Sequence, residues 1–204
     1  MARYDAEHKG ATRRRILSAG ERLIKRDGVE AATVAATMQA AGLTVGGFYA
    51  HFASKDELAR QALLFGLEES FLRLTSGLDD RDDRAWLQAL IRRYFAQLDD
   101  PSLDEGCPLT LSLPEVARGD EAARAEFGAR AAALVKLVQH RFPAVAGMSP
   151  PEVALAVFAA LSGAVALARA VARPHVRPRV VAATEKMLYA MLDLGPVPSG
   201  DDAA

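Results

Sequence analysis

Apolar residues recur along this chain at spacings of three and four, and no segment alternates as a strand would. Between residues 33 and 58 that helical rhythm is cut into short pieces. Thr33 stands where an N-cap belongs, and Val34, Met38 and Ala41 mark one face of a short helix. Gly42 follows where the chain must turn through a left-handed conformation, which glycine adopts cheaply. Leu43 is the expected plug of the turn and Thr44 the expected cap of a second short helix. Its inward residues are Phe48 and Phe52, four apart on one face. Ser54 with Glu57 three residues later reads as a capping box that opens a third helix at about Lys55. Helix, glycine turn, helix is the order of a helix-turn-helix.

The pattern after residue 60 stays helical and shows no repeat. Leu58, Ala62, Phe65, Phe71 and Leu72 carry a long helix that weakens near Gly77. An acidic loop, 78–83, leads into a helix marked by Trp86, Leu87, Leu90, Ile91, Tyr94, Phe95 and Leu98. A shorter helical piece follows Cys107 and Pro108, and another helix runs from Asp120 to about Phe142. Ser149 and Glu152 form a second capping box with proline in the permitted first turn, and the helix they open runs to about Val171. Pro174 and Pro178 punctuate the link to a last helix. The tail from Gly195 reads as frayed. Residues 153–168 hold no charge, but sixteen residues fall short of a membrane span, so this segment reads as a helix buried on most of its faces.

The outward face of the second short helix is unusual. It carries Val45, Gly46, Gly47 and Ala50, flanked by Tyr49 and His51, and two glycines cost up to about 1 kcal/mol each in helix propensity. One account is that the glycines relieve crowding against the turn. The other is that a surface without side chains lets the backbone approach a nucleic acid, while Tyr49, His51 and Lys55 donate hydrogen bonds to phosphate.

The stretch Gly-Leu-Thr-Val-Gly-Gly-Phe-Tyr-Ala-His-Phe-Ala-Ser-Lys-Asp-Glu-Leu (42–58) resembles the signature of the TetR/AcrR family of transcriptional regulators. So does its approach, Thr-Arg-Arg-Arg-Ile-Leu-Ser-Ala-Gly-Glu-Arg-Leu-Ile-Lys-Arg-Asp-Gly (12–28). The matching part runs from about residue 9 to 60, under a third of the chain. The resemblance implies DNA-phosphate contacts at Thr33, Thr44, Tyr49, His51 and Lys55, and base-facing positions at Val45, Gly46, Gly47 and Ala50. None of those four carries a long hydrogen-bonding side chain, which leaves van der Waals contact with thymine methyls as the main direct readout. Lys9, Arg13 and Arg14 read equally well as further phosphate contacts or as a solvated helix face.

The resemblance further implies about nine helices in an all-α fold. A helix-turn-helix domain (1–55) would join an effector-binding and dimerisation domain (56–195), followed by a flexible tail (196–204). It implies a ligand-responsive regulator, a repressor, that binds a palindromic double-stranded DNA operator as a homodimer and is released by a small-molecule effector. Val157, Leu161 and Val165 on one late helix, with Val181, Thr184, Leu188 and Met191 on the last, are the expected dimer interface, because the first has apolar residues on nearly every face, more than one groove can use, and the last carries them at i, i+3, i+4 spacing. Phe65, Trp86, Tyr94, Phe95 and Cys107 are candidates to line the effector pocket, although large apolar residues are commonly plain core.

Charge sharpens the picture slightly. The 204-residue chain has a net charge of −1, but residues 1–60 hold 10 Lys/Arg against 7 Asp/Glu and the remainder 15 against 19. A basic head on an acidic body suits a protein that meets DNA at one end. The N-terminal residues lack the apolar run of a secretory signal, and a single cysteine excludes an internal disulfide, so the cytoplasm is the expected compartment, with no membrane partner. Four scattered histidines form no metal-ligand spacing, and no phosphate loop or nucleophile elbow is present, so neither enzyme activity, nor a cofactor, nor a metal is expected. Cys107, in Asp-Glu-Gly-Cys-Pro-Leu, is the one reactive candidate. Its Gly-Cys-Pro resembles a subgroup in which some members respond to oxidants or reactive electrophiles, giving the alternative of a thiol-sensing repressor; the bland reading is a small buried hydrophobe. A helical enzyme or a protein-interaction bundle is the remote alternative.

Overall fold

The computed structural model describes residues 2–99, 108–145 and 147–197. Among them are eight α-helices: α1 (Ala2–Asp27), α2 (Val34–Ala40), α3 (Lys55–Thr75), α4 (Asp83–Ala96), α5 (Pro108–Arg118), α6 (Glu121–Val138), α7 (Pro150–Ala170) and α8 (Val176–Met191). With the 3-10 helix Val45–Ala50 they make the nine expected, and no strand occurs among the described residues. The fold is all-α. Tertiary contacts divide the chain into two compact units. The first comprises 1–70 and 102–128, the second 71–101 and 129–204, so α3 and α6 each run from one unit into the other.

The first unit is built on one small core. Ile16 and Ala19 of α1, Met38 and Ala41 at α2, Phe48, Phe52 and Leu58 are all buried together, with Leu17, Val34 and Leu43 packed against them. Gly42 has φ +66°, the left-handed turn its position demanded. Farther along α1, Glu21 and Lys25 form a buried ion pair at 2.8 Å, one helical turn apart. Gly66 of α3 leaves room for it, since a Cβ there would collide with the Glu21 side chain. Like other buried pairs, this one is costly to break from one side.

In the second unit, α4 begins at an Asp82 side chain that accepts the Ala85 N–H at 2.8 Å. Trp86, Leu90, Ile91, Tyr94 and Phe95 of α4 are buried with Val153, Val157, Leu161 and Val165 of α7 and Leu188 and Tyr189 of α8. Tyr94 Oη and Ser162 Oγ share a buried hydrogen bond of 2.8 Å, and Trp86 meets Phe142 edge-on. The Glu152 carboxylate accepts both the N–H (2.7 Å) and the hydroxyl (2.6 Å) of Ser149, which closes the start of α7 and holds that carboxyl below its usual range.

Two expectations change here. The α7 helix is long and apolar enough to pass for a membrane span, but it buries one side in this unit and exposes Leu155, Gly163 and Leu167 on the other. It is half buried rather than covered on most faces. Of the residues expected at a dimer interface, Val157, Leu161, Val165 and Leu188 are consumed by the core, and Val181, Thr184 and Met191 are only half-buried. The α7 helix is apolar on nearly every face, so periodicity alone could not tell its inward row from its outward one.

Candidate nucleic-acid interface

The helix-turn-helix is assembled by local chemistry. Thr33 accepts the Ala36 N–H at 3.1 Å and starts α2. After Gly42 the chain enters the 3-10 helix Val45–Ala50, in which Gly47 N–H reaches Thr44 O at 3.2 Å and His51 N–H reaches Phe48 O at 2.9 Å. Six residues with two glycines have little α-helical propensity, and the tighter winding repeats every three residues. Phe48 is therefore driven inward, fully buried, while Gly46 with Tyr49 and Gly47 with Ala50 fall on the two outward edges.

Thr44 departs from its expected role. Its side chain makes no capping hydrogen bond, and its exposed hydroxyl is left to the surface. The box at α3 is also altered: Ser54 Oγ accepts the Glu57 N–H at 3.0 Å, but Glu57 returns to the N–H of Ala53, at 2.7 Å, one residue before the box position.

The outward face has the character the sequence suggested. Val45 is 48% and Tyr49 73% exposed, and Gly46, Gly47, Ala50, Thr33 and Thr44 are exposed as well. A Cβ added at Gly46 would meet nothing within 4 Å, and one at Gly47 only Met38 Cε at 3.8 Å. The fold does not need either glycine to relieve crowding. His51 is half-buried; burial, then Lys9 and Arg13, lower its pKa, so the ring is neutral at neutral pH. Its Nδ1 is buried without a hydrogen-bond partner.

Three contacts were not visible in the sequence. Arg13 of α1 donates to the His51 carbonyl at 2.8 Å and to Gln61 Oε1, and its guanidinium lies over the Phe52 ring at 4.2 Å. It is neither a solvated face nor a free phosphate ligand. Arg15 donates to the Ala41 carbonyl at 2.7 Å, so both short helices end on a cation from α1, where the helix dipole favours one. Lys55, the expected phosphate ligand, is paired with Glu30 at 2.7 Å. These partners lie 25 to 48 residues apart, beyond any local spacing rule.

Of the candidate effector residues, Trp86, Tyr94 and Phe95 are core of the second unit, Phe65 is half-buried in the first, and Cys107 lies outside the described residues. No group of three metal-binding side chains occurs among the described residues.

Comparison with known proteins places this geometry. Residues 16–62 match the model for bacterial regulatory proteins of the tetR family. The HTH-type transcriptional regulator TtgR of Pseudomonas putida is 35% identical over 101 residues, 48% of this chain and 48% of that protein. The chain thus spans about half the length of the curated relatives it matches. Among solved structures, a TetR transcriptional regulator from Chloroflexus aurantiacus superimposes with a TM-score of 0.67 at 22% identity, covering 91% of this chain and 98% of that one. A Saccharomonospora viridis chain solved in complex with choline gives 0.66 at 20%, covering 88% and 96%. These similarities give the Gly-Cys-Pro subgroup no support, and they do not favour the thiol-sensing alternative. The relatives are regulators of transcription rather than enzymes. With its matching head, its similar relatives and its shared all-α fold, the chain is similar to the TetR family of transcriptional regulators.

Proposed function

We propose that this protein is a homodimeric repressor that binds a palindromic operator through two helix-turn-helix heads and is released by a small-molecule effector, acting in the cytoplasm. One observation carries the DNA-binding part. The 3-10 helix turns a nearly side-chain-free edge, Gly46, Gly47 and Ala50, to solvent, and it is rimmed by donors at Thr44, Tyr49, His51 and Lys55. Donors of that kind position a protein on phosphates, while the bare edge permits close approach to the groove. Two heads related by a two-fold axis read half-sites about 34 Å apart, or a multiple of that. The choline-bound neighbour supports an effector of small-molecule size. Such an effector lowers DNA affinity by binding better to the conformation that fits DNA worse.

The test is a binding titration on duplexes containing inverted repeats from the DNA flanking the coding region. Tyr49→Phe and Lys55→Ala are expected to weaken binding to all sequences, and Lys55→Ala to reduce the salt slope by up to about one unit as one phosphate contact is lost. An unchanged affinity and slope for Lys55→Ala would remove Lys55 from the interface.

A further inference from the structure

Lys55 does not stand free on the surface of the head. Its Nζ lies 2.7 Å from Glu30 Oε2 and 3.4 Å from the Glu30 carbonyl oxygen. Glu30 sits in the 3-10 turn Val29–Ala31 after α1, and its side chain is 95% exposed against 31% for Lys55. The carboxylate therefore reaches out of bulk solvent to the ammonium group. The hydrogen bond and the charge of Lys55 hold its pKa below the usual carboxylate range, so Glu30 is ionised wherever DNA binding would be measured.

We infer that Glu30 is an internal competitor for the phosphate that Lys55 contacts, and that it sets the affinity and salt dependence of DNA binding. The inference rests on the reading of Lys55 given above. An ammonium group has three donors and can turn toward a phosphate without leaving Glu30, but the carboxylate is then brought beside a second anion. Otherwise the pair must open. Both routes oppose binding, and because an exposed ion pair is weak, neither prevents it. Glu30 thereby offsets part of the electrostatic gain that Lys55 brings. It damps binding to all sequences alike, since phosphates carry no sequence information.

Glu30→Gln removes the charge and keeps an acceptor for Lys55. The measurement is fluorescence anisotropy of the full chain with random-sequence duplex DNA, between about 50 and 200 mM salt. The variant is expected to bind more tightly at the low end, with a slope steeper by about half of the roughly 0.9 that one full phosphate contact contributes. Across that range its affinity then falls about twofold more than the wild type's. In a Lys55→Ala background the same substitution is expected to lose most of this effect, as coupled neighbours do. Wild-type or weaker binding by Glu30→Gln, while Lys55→Ala still impairs binding, overturns the inference and makes Glu30 a residue that positions the lysine. If Lys55→Ala alone has no effect, the phosphate reading falls first and the competitor falls with it.

Discussion

At the scale of single residues, Gly46 separates folding from function. A methyl group there meets no atom of the chain within 4 Å, and the position does not need a left-handed backbone. Gly46→Ala is expected to leave stability unchanged or to raise it by up to about 1 kcal/mol, the propensity gained over glycine. DNA affinity is expected to fall, because the added group stands on the edge that approaches the groove. Thermal melting and a binding titration on one preparation decide it: a variant that is more stable and binds as well as wild type would mean that the bare edge serves no close contact. The glycines were legible in the sequence as an anomaly, but their reason was not. Crowding and close approach predict the same residues, and only the empty space around Gly46 distinguishes them.

Among the elements, the second short helix owes its position to α1. Arg13 takes the carbonyl at its C-terminal end, covers Phe52 and reaches Gln61 on α3, while Arg15 takes the end of α2. Charged hydrogen bonds to buried or half-buried groups contribute more than neutral ones, so Arg13→Ala is expected to cost about 2 kcal/mol. Arg13→Lys is expected to recover only part of that, since an ammonium cannot fork between two acceptors and stack on a ring. Chemical denaturation of the three proteins tests this, and equal stability of wild type and Arg13→Ala would dissolve the clamp. Local rules served well where cause and effect lie within four residues: the Thr33 cap, the Gly42 turn and the inward Phe48 and Phe52 were all legible. They failed at Thr44, which makes no capping bond once the segment winds as a 3-10 helix. They could not reach Arg13 or Glu30, whose partners are brought close only by the tertiary fold.

On the scale of the whole molecule, the second unit has an unfinished surface. The α7 helix exposes Leu155, Ala159, Gly163, Ala166 and Leu167, and α8 exposes Ala182, Ala183, Met187 and Ala190. Leu155, Leu167 and Met187 are each more than half exposed, and a Cβ at Gly163 would meet nothing within 4 Å. Adjacent helices with small residues outward and large apolar residues between them present a surface that a second copy can cover, with α7 and α8 of each chain forming a four-helix contact. This row, not the buried Val157, Leu161 and Val165, is the proposed dimer face. Gly163→Arg tests it with little risk to the fold, because the new side chain enters open space in the single chain. Sedimentation equilibrium is expected to show a dimer for wild type and a monomer for the variant, with an unchanged helical circular dichroism spectrum. Operator affinity is expected to fall by about a hundredfold or more, since two half-sites no longer share one binding event. Binding of each isolated half-site should remain, because the head is untouched. A variant that stays dimeric with full operator affinity would place the two-fold contact elsewhere.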